Sequence, residues 1–161
     1  MKKKSIPIIS VILTFLFFSA VIILNVRSET AVERLNSGRN YFEEGEYDKA
    51  IAQFKKALEL EPGDADIHFV LGFAYHMSAR LEEAIAQYKK VISLDPDNAH
   101  AYSKLGYVYG LLEQPELELK YLKKAKRLFM EQGDLTNFKR IDKYLHYLEF
   151  EKYLGGEEEK K

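Results

Sequence analysis

The chain has 161 residues, with 24 Lys+Arg against 25 Asp+Glu, no Cys and no Trp. An apolar content of 47% at a formal charge of −1 excludes a disordered tail and allows one domain plus an accessory segment. Without Cys there is no disulfide framework, thiolate metal site or cysteine nucleophile.

Residues 1–28 contain Lys2, Lys3, Lys4 and Arg27 and no acid, which leaves 20 basic and 25 acidic side chains for the remainder. That sign is wrong for a duplex-binding domain, and no nucleic-acid partner is expected. After a basic flank at 1–5, residues 6–26 (IPIISVILTFLFFSAVIILNV) carry no charge. Twenty-one residues span roughly 31 Å as a helix, the thickness of a hydrocarbon core, so a single transmembrane helix is expected. A cleavable signal peptide has a shorter apolar region ending in a small-x-small site, whereas here Ser19-Ala20 runs straight into Val21–Leu24. The basic flank predicts a cytoplasmic N-terminus and an extracytoplasmic remainder, periplasmic or extracellular in a bacterium. Signal cleavage, releasing a secreted module, is the alternative.

The rest of the chain repeats. A shift of 34 residues superimposes Gly38, Gly72 and Gly106, and likewise Tyr41, Tyr75 and Tyr109. It also superimposes Ala50 on Ala84, Phe54 on Tyr88 and Leu122, Ala57 on Val91 and Ala125, and Pro62 on Pro96. Each unit holds two amphipathic segments, such as 31–44 and 47–60, joined by a turn at Gly45-Glu46. Glycine in mid-helix costs about 1 kcal/mol against Ala, so three at one repeat place require close approach of the paired helix, through Ala50 or Ala84. Glu61 and Asp95 precede Pro and are steered out of the α region, which ends the second helices. Beyond Gly133, residues 134–154 form a further amphipathic helix with Asp134 as N-cap. Its stripe is Phe138, Ile141, Leu145 and Leu148, widened by Tyr144, Tyr147 and Leu154, and Gly155-Gly156 is expected to stop it. Residues 155–161 form a tail.

These residues resemble the tetratricopeptide repeat (TPR), a 34-residue helix–turn–helix unit. The resemblance implies an all-α, right-handed solenoid of three repeats, 31–64, 65–98 and a divergent 99–132, with 134–154 as the cap that such arrays need. The third unit departs from the pattern: Glu118 stands where a small residue is usual, Met130 replaces Pro, and Pro115 enters the inter-helix turn.

The resemblance further implies that first helices line a concave groove that holds peptides or partner helices. The inward places include Leu35, Arg39 and Phe42 in the first unit, Phe69, Val70, Phe73, His76 and Met77 in the second, and Lys104, Tyr107 and Leu111 in the third. One TPR subclass grips the C-terminal carboxylate of heat-shock chaperones with Lys, Asn and Arg at five of these places. Here they hold Leu35, Arg39, Val70, His100 and Lys104, which argues against that ligand. An apolar-aromatic wall of Leu35, Phe42, Phe69, Phe73, Met77, Tyr107 and Leu111 instead suits an apolar peptide or amphipathic helix. The alternatives are a wall filled by the chain's own cap or juxtamembrane segment, and self-assembly into a homo-oligomer.

Thr30-Ala31-Val32-Glu33 reads as a capping box, so only Arg27–Glu29, about 10 Å of extended chain, link the first repeat to the span. A membrane-associated protein partner is therefore expected. Chemistry is not. Four His and the carboxylates form no metal-ligand spacing, and no phosphate-binding or nucleophile motif occurs, so neither metal, cofactor nor enzyme activity is predicted. The basic run Lys123–Arg127, with Lys139-Arg140, reads as a solvated convex face.

Overall fold

Helix boundaries are set by local chemistry at each end. A computed structural model describes residues 31–158, with side chains through residue 150. The helices are α1 (31–43), α2 (Tyr47–Leu60), α3 (Ala65–Met77), α4 (Leu81–Leu94), α5 (Ala99–Leu111), α6 (Pro115–Glu131) and α7 (Leu135–Glu158). No strand occurs among the described residues. First helices α3 and α5 start on side-chain caps. Asp64 accepts from the Ile67 N–H and Asn98 from the Ala101 N–H, each at 3.0 Å. Glu61 and Asp95, each before proline, leave helical geometry with φ near −131° and −133°.

Turns within the units share one device. The backbone N–H of Glu46 bonds to Tyr41 O and that of Gly45 to Phe42 O, a Schellman closure with Gly45 at φ +77°. Ala79 and Glu113 occupy the same place 34 and 68 residues later, at φ +59° and +55°, with the same pair of bonds. The turn therefore holds its left-handed residue even where the sequence supplies no glycine.

Packing explains the period. Phe54, Tyr88 and Leu122 are fully buried, as are Ala57, Val91 and Ala125, each set on second helices at equivalent places. Gly38, Gly72 and Gly106 face these large residues. A Cβ on Gly72 would lie 3.0 Å from the Tyr88 ring, and one on Gly106 2.8 Å from Leu122 Cγ. The close approach expected through Ala50 or Ala84 is thus made by the bulky residue four positions later. Small-into-large interlocking lets the helix pair close, and Ala50 and Ala84 are core residues beside it.

The third unit is longer. Pro115 sits in the first turn of α6, and with Met130 in place of proline that helix runs for 17 residues against 14 in α2 and α4. A second core cluster, Leu122, Ala125, Leu128 and Phe129 with Ile141 and Leu145, glues α7 onto α6. The helix α7 continues through Gly155-Gly156 to Glu158. Glycine lowers helix propensity without forbidding the helix.

Residues 6–26, expected to span a membrane, and Thr30, expected to cap α1, lie outside the described residues. Among the described residues no helix is long and apolar enough to cross a membrane; even the 24-residue α7 carries charges throughout. The single-pass localisation with extracytoplasmic repeats is corrected accordingly.

Candidate functional site

The first helices α3 and α5 touch each other as well as their own partners. On α1 and α3 the inward aromatics meet directly: the Phe42 and Phe73 rings are 5.1 Å apart between centroids. Arg39, Phe42, Glu43, Phe54, Val70 and Phe73 line a pocket of about 100 Å³. Leu35, Phe42, Phe69 and Val70 are half-buried and lean on the main core, with the Phe69 ring 5.8 Å from that of Tyr88. Phe69 thus serves the fold as much as the groove.

Phe73 is the hub of the polar part. Lys104 Nζ of α5 lies 4.2 Å from its ring centroid, and the His76 ring meets it edge-on at 6.4 Å. Burial, and then the charge of Lys104, push His76 below the ordinary histidine value, and its buried Nδ1 has no hydrogen-bond partner among the described residues. Burial also lowers Lys104, reinforced by Arg140 of α7. Among the described residues neither Lys104 nor Arg140 forms an ion pair.

Tyr107 of the expected wall is half-buried against the cap, its ring 5.3 Å from that of Tyr144, and it packs on the second core cluster. Met77 and Leu111 remain open to solvent, at 44% and 60% exposure. The structure therefore unites Arg39, Phe42, Val70 and Phe73 around one pocket, joins His76 and Lys104 to it through Phe73, and leaves Tyr107 under α7. His100 turns its ring onto Phe129 at 5.0 Å.

Tyr144 of the cap meets Tyr107, and the charge of Arg140 acts on Lys104, neither of which the repeat pattern indicates. Their spacing of four, with Tyr147 next on the helix, is the readable sign of a shared face. Glu118 is equally unexpected inside the fold. It is 5% exposed, lies beside Gly110 and accepts a hydrogen bond from the Tyr144 hydroxyl at 2.8 Å. His68, another buried polar residue, bonds through Nδ1 with Gln87 at 2.7 Å and through Nε2 with the Pro62 carbonyl at 3.2 Å.

The basic run of α6 does not form one patch. Lys123 and Lys126 pair with Glu149 and Asp142 of α7, Arg127 with Glu131, and Lys124 sits over the Tyr102 ring. No group of three His, Cys, Asp or Glu suited to a metal occurs among the described residues.

Stacked helical hairpins define a solenoid repeat protein. Family models for the tetratricopeptide repeat match residues 38–78, 80–112 and 99–138, and the chain belongs to that family. Solved structures agree on the fold. The TPR2B domain of yeast Sti1 in its pHsp70 complex is similar at 21% identity and a TM-score of 0.71, over 76% of this chain and 98% of that one. The type III secretion translocator chaperone SycD of Yersinia enterocolitica is similar at 16% identity and 0.73, over 78% and 88%. PcrH in complex with the chaperone-binding region of PopD is similar at 18% and 0.73, over 78% and 95%. No curated protein sequence matches the chain.

Proposed function

We propose that this chain is a non-catalytic protein-interaction module, an adaptor, scaffold or assembly factor, whose concave groove takes an apolar peptide or amphipathic helix. The observation that carries the reading is the Phe42–Phe73 pair over a pocket of about 100 Å³, room for one apolar side chain. Exposed Met77 and Leu111 extend that surface along the groove, and aromatics and Met are favoured where proteins bind one another. Burial of apolar area at about 25 cal/mol per Å² would supply the attraction, less the cost of ordering the ligand. Neighbours of this fold include the Sti1 domain solved in its pHsp70 complex and PcrH solved with the chaperone-binding region of PopD, which supports the mode of use without naming a ligand.

Phe73 is the residue to change, because Phe69 is tied to Tyr88. Binding of acetylated, amidated amphipathic 12-residue peptides is measured by fluorescence polarisation. Phe73→Ser is expected to weaken capture at least tenfold, about 1.4 kcal/mol, while melting stays within a few degrees of the parent. Equal capture by parent and variant would remove the groove reading.

A further inference from the structure

The groove combines an apolar seat with cations that have no counter-charge of their own. Lys104 stands over Phe73, His76 flanks the same ring with its Nδ1 unpartnered among the described residues, and the charge of Arg140 on the capping helix acts on Lys104. These groups come from α3, α5 and α7, three elements brought together only by stacking. Half-burying a cation without a carboxylate beside it is unfavourable, and a second positive charge in reach adds to the cost. By contrast, the convex cations Lys123, Lys126 and Arg127 each have an acidic partner. Glu43, the carboxylate lining the pocket, forms no ion pair with Lys104.

We infer that Lys104 and Arg140, with His76 across Phe73, form an anion subsite that takes an Asp or Glu side chain of the bound peptide, next to an apolar residue seated on Phe42 and Phe73. An internal acidic side chain fits better than a chain terminus. Of the five places that grip a terminal carboxylate in one TPR subclass, Leu35 and Val70 are apolar and lean on the core, and His100 faces Phe129. A terminal carboxylate would find no amide donors there. A side-chain carboxylate needs only the two cations, and its arrival would let His76 take up a proton. This inference rests on the groove-binding reading above.

The test uses the full chain and an array of acetylated, amidated 12-residue peptides. All carry one fixed Phe-x-x-Leu pair, and each has Glu, Gln or Lys at one of the flanking positions. A matched set ends in a free carboxylate with Gln inside. The expected result is a preference of about tenfold for the best Glu peptide over its Gln twin, lost in Lys104→Gln and weakened in Arg140→Gln. Gln peptides should bind the parent, K104Q and R140Q alike, which shows the variants folded. Equal binding of Glu and Gln peptides, still abolished by F73S, would overturn the anion subsite and leave the apolar groove standing. Preference for the free-carboxylate set over the Glu peptides would overturn it in favour of a terminus. Failure of every peptide to bind the parent would overturn both readings.

Discussion

Tyr144 of the capping helix donates its hydroxyl to Glu118 across 2.8 Å, so that the last helix is tied to a carboxylate buried inside the third repeat. This bond joins two departures from the regular repeat. Glu118 occupies a place that usually holds a small residue, and the adjacent Gly110 leaves space for its carboxylate.

Removing the donor should leave that carboxylate buried with nothing to bond. Tyr144→Phe is expected to lower stability by about 1–3 kcal/mol, read as a shift of the urea midpoint. A second readout comes from pH. Burial, then the Glu118 bond, pushes the Tyr144 hydroxyl up to about 12 from an ordinary 10. Its folded value is raised, so its contribution is complete below pH 10 and fades as pH rises through 12. The parent should therefore lose more stability than Tyr144→Phe across that same pH window; parallel curves would contradict the assignment.

The glycine-to-bulk interlock predicts a cost for one methyl group. Gly106→Ala should place a Cβ 2.8 Å from Leu122 Cγ and 3.2 Å from the Leu122 backbone nitrogen, which cannot swing aside. Overpacking of about 1–3 kcal/mol outweighs the gain of about 1 kcal/mol from better helix propensity. Chemical denaturation should show a net loss. A gain would mean that the helices can part at no cost.

The left-handed turn positions predict opposite signs at equivalent places. Ala79 bears the backbone penalty at φ +59°, so Ala79→Gly should stabilise by roughly 0.5–1 kcal/mol after the extra freedom of unfolded glycine is deducted. Gly45→Ala should destabilise by about 1 kcal/mol from the backbone alone, since nothing lies within 4 Å of the added Cβ. Thermal melts of the two single variants check both, and shifts of the same sign would refute the turn argument.

Tyr88 is fully buried, and its hydroxyl has no hydrogen-bond partner among the described residues. Burial alone drives that hydroxyl well above the ordinary tyrosine value. Tyr88→Phe installs the residue that the first repeat carries at the same place, Phe54, and should raise stability by up to about 1 kcal/mol by removing an unsatisfied polar atom. A marked loss in equilibrium unfolding would instead reveal a partner for the hydroxyl.

The repeat, its period and most helix ends are legible in the residues alone, because they are set within a few positions of one another. Asp64 and Asn98 cap the helices that start after them, prolines restrict the residues before them, and alternating bulk at 38/54, 72/88 and 106/122 dictates which faces close. Phe42 and Phe73 stand at places that the resemblance to the repeat family implies are inward-facing. Which inward residues share a site is settled only by stacking. Phe69 is drawn into the core by Tyr88, Tyr107 packs against Tyr144, and Lys123, Lys126 and Arg127 of α6 pair with acids of α6 itself and of α7. The effect of the Arg140 charge on Lys104, and the approach of Tyr144 to Glu118, depend on how α7 lands on α5 and α6. A 34-residue period says nothing about that landing. The cap is not a repeat, and the bond that anchors it joins residues 26 positions apart.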